Sequence, residues 1–510
     1  MTSSSSPDTD QDRADPRDQV FDVTGVTKGL GSRTGRSAIT VLLFAAAKII
    51  VALGSTAVLA RLVPPEQQAV IAMAMPAILI ATGLSEFGLA QAVVQRPHVT
   101  HQLASTLLWT NVALGATLSI AVALLGGPAA VFYDVPEAAQ VFVWMSPYIF
   151  LSVLTAQYVA ILRRQMRIRQ IEIGGFGAAC LAAVMAIGAA LAGAGYWALV
   201  IQLVMTEVLN LLYLLVLIRW LPSSPLKYKF QEARSALSFG GYLAAERLLG
   251  EFARSIQLVV IGRLFAPTDA ALFYRAQTIA QMPQRRIISP LSGAFIPSLS
   301  RLQDDRAEFQ SMYMRQVTRA NLVMVPIGLL VCSCADVLVR ILLGPDWTGV
   351  VPLLAWLGLL PMTALTLSSF LWTLVACGRS KQLFLARLAG TGLLLAALFT
   401  GAQFGVVGLV AGYMLALVFG MVPLMAVVSL RYTPLTLDTV RRTFLGEAVF
   451  AAGSLALLLG LRDWLQLETM FFELLITGAV LAALVGLRLA FNVEMRRDVM
   501  KALKVPTMRK

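Results

Sequence analysis

The chain has 510 residues, 58% of them hydrophobic and only 14% charged, and its mean hydropathy is +0.75. A soluble protein carries about 25% charged residues, so an ordinary globular core is excluded. The net charge of +13 would fit a nucleic-acid binder, but the basic residues sit mainly in short loops between apolar stretches, which excludes that partner and marks a membrane protein.

Residues 1–36 are polar, rich in Ser, Asp, Thr and Gly, and hold no apolar signal-peptide core. They read as a disordered cytoplasmic tail. Fourteen apolar stretches then follow, near 38–60, 69–92, 104–126, 139–161, 172–193, 196–218, 236–262, 270–298, 318–343, 350–376, 383–402, 405–429, 444–462 and 470–492. Each approaches the roughly 20 residues that a helix needs to cross the hydrocarbon. They are Leu- and Ala-rich and lack period-two alternation, so the fold class is an all-α membrane protein and not a β-barrel. The seventh and eighth stretches are long and carry charges. A basic tail, 493–510, ends the chain.

An even number of spans puts both termini on one side. The loops agree. Arg163, Arg164, Arg167 and Arg169, then Arg219, Lys227, Lys229 and Arg234, then Arg379 and Lys381, then Arg431, Arg441 and Arg442 all fall on the side of the N-terminus. The alternate loops, Gly126 to Ala138, Gly193 to Gly195, Gly344 to Gly349 and Gly401 to Gly405, are short and poor in Lys and Arg. The positive-inside rule therefore predicts two cytoplasmic termini in a bacterial inner membrane.

A repeat is visible within the helices. Arg61-Leu62-Val63-Pro64-Pro65 leaves the first span and Arg263-Leu264-Phe265-Ala266-Pro267 leaves the seventh, 202 residues on. Six spans separate the copies, so they share one orientation, as in transporters built from parallel repeats. The expected plan is a tail (1–36), a first lobe (37–222), a second lobe (223–432), two extra helices (433–492) and the basic tail.

No Walker A sequence, Gly-rich nucleotide fingerprint, HExxH or GxSxG occurs, so ATP hydrolysis and those enzyme classes are not expected. No metal site is expected either. His98 and His101 share one short loop and read as solvated, and Cys180, Cys332, Cys334 and Cys377 read as inert thiols in or beside the membrane. Trp144, Trp197, Trp347 and Trp464 read as interfacial anchors, and Arg61 and Arg263 as span-end anchors. Pro147, Pro283, Pro290 and Pro326 predict kinks.

The informative residues are charges inside spans, which cost roughly 2.5–3.5 kcal/mol each at the bilayer centre. They are Lys48, Glu86, Glu207, the set Glu246, Arg247, Glu251 and Arg254, and the set Arg275, Arg285 and Arg286. Arg247, Glu251 and Arg254 share a helical face. That ladder is either an internal ion network or a cationic surface for an anionic headgroup. The basic members outnumber the acidic ones, which suits a diphosphate, because Arg offers paired donors to phosphate oxygens. Lys48, Arg247, Arg254, Arg275, Arg285 and Arg286 are the candidate substrate ligands. Glu86, Glu246 and Glu251 are candidates for ion pairing or for binding a coupling proton or Na+.

Six patches resemble the polysaccharide-transporter (Wzx-type) family of the multidrug/oligosaccharidyl-lipid/polysaccharide flippase superfamily. They are LARLVPPEQQAVIAMA from Leu59, GLSEFGLAQAVVQR from Gly83, LRRQMRI from Leu162, VVIGRLFAPTDAALFYRAQTIAQMP with FIPSLSRLQDD from Phe295, LLGPDWTGVVPLL from Leu342 and CGRSK from Cys377. The resemblance implies two six-helix bundles around a cationic cavity, working by alternating access. It implies an undecaprenyl-diphosphate-linked oligosaccharide as cargo, moved to the periplasmic leaflet for exopolysaccharide, capsule or O-antigen synthesis. A polymerase and a chain-length regulator are the implied partners. Two departures stand out. Gln257 lies where the family often has an acidic residue, and Gln67-Gln68 stands where it has Phe-Gly. A drug or organic-cation antiporter and a lipid II flippase are the alternatives; the first would call for an acidic cavity.

Overall fold

The structure, a computed structural model, describes residues 16–21, 30–85, 93, 99–224, 241–465 and 470–491. Those residues are helical or in turns, with no strand among them. Each expected stretch overlaps helix where it is described, with turns interrupting some of them, as at Ser146, Cys334, Gly358 and Leu359. The helices are α1 (Leu30–Leu62), α2 (Pro65–Ser85), α3 (His101–Leu124), α4 (Gly126–Tyr133), α5 (Glu137–Met145), α6 (Pro147–Arg164), α7 (Ile168–Leu191) and α8 (Trp197–Ile218). Then come α9 (Gly241–Leu264), α10 (Pro267–Pro283), α11 (Ser289–Arg301), α12 (Arg306–Ser333), α13 (Ala335–Leu342), α14 (Val350–Leu357) and α15 (Leu360–Ala376). The last are α16 (Ser380–Ala402), α17 (Gly405–Ala416), α18 (Val422–Tyr432), α19 (Leu437–Leu465) and α20 (Met470–Phe491). Ten helical stretches among the described residues are long and apolar enough to cross a membrane.

Local sequence explains the boundaries. Thr100 caps α3 by accepting from the Leu103 amide at 3.2 Å, and Asp305 caps α12 through the Glu308 amide at 3.0 Å. The repeat signature marks equivalent turns: α1 ends at Leu62 and α2 opens on Pro65, while α9 ends at Leu264 and α10 opens on Pro267. Proline suits a first helical position, because that residue's N–H would have no partner there. Pro283 ends α10 and is followed by a π turn, Gln284–Ile288. A second π turn, Leu417–Met421, joins α17 to α18. Pro147 and Pro290 open α6 and α11, and Pro326 lies inside α12.

The chain forms two compact units. Unit 1 comprises residues 1–55, 77–130 and 139–241; unit 2 comprises 56–76, 131–138 and 242–510. Parts of the first sequence repeat thus belong to unit 2. In unit 1, α3, α6 and α8 bury Leu103, Leu107, Tyr158, Ile161, Leu162, Leu211 and Leu214 with Phe21 and Trp220. Phe21 corrects part of the expectation of a disordered tail. Pro16–Val20 is a 3-10 turn, and Phe21 after it is only 2% exposed. His101 is likewise buried rather than solvated: Trp220 Nε1 donates to its Nδ1 at 2.8 Å, and its Nε2 meets Ser223 Oγ at 2.7 Å. His98 lies outside the described residues.

In unit 2, the last two helices pack on α12 through Val325, Leu329, Leu458 and Leu481. Partly buried charge staples them. Arg462 of α19 donates to the Ser333 carbonyl at 2.9 Å and pairs with Glu473 of α20 at 2.8 Å and with Asp336 of α13. Arg488 of α20 pairs with Glu447 of α19 over the Phe450 ring. Helices α16 and α17 approach closely at glycines. A Cβ on Gly401 would stand 2.4 Å from the Gly408 carbonyl oxygen, and one on Gly412 2.8 Å from that of Ala397. Small residues allow such backbone contact in membranes, and this hairpin carries two residues of the site described next.

Candidate functional site

Helix α9 supplies the charged core of unit 2. Of the ladder expected along one face, Glu251 and Arg254 pair, and the Arg247 side chain lies outside the described residues; Glu246 is not part of it. At about 100° per residue, Glu246 lies roughly 140° round the helix from Glu251, so the two carboxylates serve different neighbours. Glu246 is 3% exposed and accepts from Arg387 of α16, whose Nε and Nη2 reach one carboxylate oxygen at 2.9 and 2.8 Å. Glu251 pairs with Arg254 one turn on, and both remain about one third exposed. Tyr413 of α17, on the partner helix of α16, is buried. Gln277 of α10 donates to the Arg254 carbonyl at 3.4 Å.

Two guanidinium groups from different helices are thus each held by a carboxylate of α9. Ser255 Oγ and Gln257 Oε1 on α9 and Thr391 Oγ1 on α16 are buried with no hydrogen-bond partner among the described residues. Unsatisfied buried polar atoms are costly, and they extend the polar character of α9 and α16 beyond the ion pairs.

Other expected ligands lie elsewhere. Lys48 belongs to unit 1, where Glu172 of α7 binds its Nζ at 2.8 Å. Gly175 makes room for that ammonium: a Cβ there would come within 2.9 Å of Nζ. Arg275 is buried in unit 2 and donates through Nε to Gln68 Oε1 at 2.6 Å. Arg285 and Arg286 lie in the π turn after Pro283, and Arg247 on α9; their side chains are outside what the structure describes, as is Glu86 altogether. Glu207 in α8 has a buried Oε2 without a hydrogen-bond partner.

Arg387 and Glu172 are the residues that sequence reasoning missed. Both sit within one or two turns of a span start, where an isolated charge reads as interfacial. The available signal was charge parity: an embedded Lys48 and an embedded Glu246 each need an opposite partner in another span. Trp347, expected as an interfacial anchor, is instead fully buried, with Nε1 donating to the Ala60 carbonyl at 2.9 Å. Among the described residues, no three His, Cys, Asp or Glu come together in a way that could hold a metal ion.

Comparison with known proteins places this arrangement. The family model described as "polysaccharide biosynthesis protein" matches residues 58–352, more than half of the chain. The chain belongs to that family. The succinoglycan biosynthesis transport protein ExoT of Rhizobium meliloti is 24% identical over 64% of this chain and 66% of its own length. The lipopolysaccharide biosynthesis protein WzxC of Escherichia coli is 24% identical over 72% of this chain and 75% of its own. The teichuronic acid biosynthesis protein TuaB of Bacillus subtilis is 21% identical over 59% and 62%. The chain thus spans about two thirds of the length of these curated relatives.

Solved structures show the fold. The lipid II flippase MurJ in an inward closed conformation aligns with a TM-score of 0.67 at 14% identity, over 90% of this chain and all of that one. An inward-facing multidrug resistance transporter of the MATE family aligns with a TM-score of 0.63 at 13% identity, over 76% and 94%. The family therefore has here the helical fold of the superfamily resembled in the sequence, and the chain is a membrane protein.

Proposed function

We propose that this protein is a carrier and not an enzyme: a flippase that moves a polyprenyl-diphosphate-linked oligosaccharide from the cytoplasmic to the periplasmic leaflet of the inner membrane, by alternating access, to feed synthesis of a surface polysaccharide. Arg254 and Arg387 of unit 2, each set against a carboxylate of α9, support this most directly. Arginine forks match phosphate oxygens, and a low-dielectric setting strengthens each contact. Arg247, Arg285 and Arg286 on the same unit add cationic side chains for the same headgroup. Glu246 and Glu251 hold Arg387 and Arg254 between cargo events. A coupling proton or Na+ would act on these carboxylates or on Glu207.

Membership of the family and relatives named for succinoglycan, lipopolysaccharide and teichuronic acid synthesis support an oligosaccharide cargo. On this reading a polymerase and a chain-length regulator act on what the flippase delivers. The fourteen helices then cross the bilayer as two sets of six with two more, both termini being cytoplasmic.

Deleting the gene should abolish the surface polysaccharide and leave lipid-linked repeat units on the cytoplasmic face. Restoration of the wild-type gene should reverse both, and Arg254→Ala with Arg387→Ala should not. Normal polysaccharide in the deletion strain, or full restoration by the double variant, would refute the proposal.

A further inference from the structure

One charged residue of unit 2 is held in a way that the diphosphate site does not explain. Arg275 is 7% exposed, and among the described residues no carboxylate pairs with it. Its partners are neutral. Nε and Nη2 both donate to Gln68 Oε1, and the guanidinium lies 5.9 Å from the centre of the Trp347 ring and 6.0 Å from that of Tyr274. Gln68 is committed at its other end, because its Nε2 donates to the Val63 carbonyl at 2.7 Å. That bond fixes the amide so that only its oxygen faces Arg275.

Two further side chains tie down the same turn between α1 and α2. Trp347 Nε1 donates to the Ala60 carbonyl, and Arg61 Nη2 donates to the Ile341 carbonyl at 2.7 Å. Gly344, at φ +100°, sets the bend beside Arg61 that brings the Trp347 loop back to this turn. Segment 60–68 is thereby fastened to α10, to α13 and to the 344–347 loop, all within unit 2.

The repeat shows that the turn does not need this fastening. Counting on 202 residues, the second copy has Ala270 where the first has Gln68, and the first has Met73 where the second has Arg275. The equivalent turn after α9 closes without either group. The fastening is an addition to one copy and carries a desolvated cation matched only by an amide oxygen and π faces. A buried charge without an opposite charge is expensive, so an arriving anion is a better partner than Gln68.

We propose that Gln68, Arg275 and Trp347 form a latch on the turn between α1 and α2. The latch opens when the diphosphate headgroup replaces Gln68 on Arg275. Arg275 is then a gate residue, not part of the resting site that holds Arg254 and Arg387. This rests on the diphosphate reading of the cargo, but the latch itself is tested without transport.

The test uses the full-length protein with its four cysteines replaced by serine and Ala60→Cys added beneath Trp347. Maleimide labelling in membranes should rise roughly tenfold with Gln68→Ala or Trp347→Phe, and rise in the unaltered latch when pyrophosphate is added. Gln68→Glu gives Arg275 a permanent carboxylate. It should hold labelling low with or without pyrophosphate, keep or raise the melting temperature, and cut export roughly tenfold. Equal labelling in all these proteins, or labelling of Gln68→Glu that rises with pyrophosphate as the parent's does, would overturn the latch. If labelling follows the predicted order while the wild-type protein moves no lipid-linked oligosaccharide, the flippase reading fails and the latch stands.

Discussion

Arg387 gives both of its bonding nitrogens to a single oxygen of Glu246. Removing only one partner leaves a buried, unmatched charge. Such truncations cost about 3–5 kcal/mol, whereas replacing both partners with apolar side chains is often neutral. Arg387→Ala should therefore lower the melting temperature of the purified protein by several degrees and abolish export. Glu246→Leu combined with Arg387→Met should recover most of the melting temperature and none of the export. Wild-type export from that double variant would reduce the pair to a structural staple. The charged content of the spans was legible in the sequence, and so was the need for partners. The pairings were not, because Glu246 and Arg387 are 141 residues apart and a hydropathy average absorbs one charge at a helix start.

At the scale of elements, the 3-10 turn Pro16–Val20 shows what periodicity cannot reveal. It is too short to display a helical face, and its composition is that of a solvated tail. It docks mainly through backbone groups. Arg164 Nε donates to the Phe21 carbonyl at 3.0 Å, Gln165 Nε2 donates to the Val20 carbonyl at 2.8 Å, and the His101 amide donates to Asp18 at 2.6 Å. Phe21 then stands edge-on to Trp220, with ring centres 5.6 Å apart. Burying an aromatic side chain of this size stabilises by several kcal/mol, and truncating it to Ala costs about 3–5 kcal/mol in a tight core. Phe21→Ala should lower the melting temperature of the detergent-purified protein, and Asp18→Asn should lower it less. A melting curve for Phe21→Ala that overlays the wild type would show that the turn only rests on unit 1. The long helices contrast with this. Their length, the proline that opens α2 and α10 and the caps at Thr100 and Asp305 are local properties, which is why their positions could be read from the chain alone.

For the whole molecule, the same distinction separates the path of the chain from its grouping. The order of helices and the 202-residue repeat follow from hydropathy and from the turn residues. The assignment of 56–76 and 131–138 to unit 2 depends on contacts such as Arg275 with Gln68 and Tyr133 with Gly262, made across long sequence separations. Orientation in the membrane is a separate matter of charge. Moving one Arg or Lys through the hydrocarbon during insertion costs several kcal/mol, and on the expected fourteen-span topology the basic residues are spread over many loops of one side. Arg163 and Arg164 end α6, Arg431 lies in the last turn of α18, and Arg441 and Arg442 lie near the start of α19. Inverting the protein would carry all of these outward at once, so the charge asymmetry favours one topology strongly. A green fluorescent protein fused after Lys510 should therefore fluoresce and an alkaline phosphatase fused there should be inactive, whereas a phosphatase placed in the 193–195 turn between α7 and α8 should be active. The opposite pattern at the C-terminus would mean an odd number of crossings. The crossing in question would then be α1, α9, the interrupted α10–α11 segment or α20, the long helical stretches outside the ten that meet the length and hydropathy criteria among the described residues.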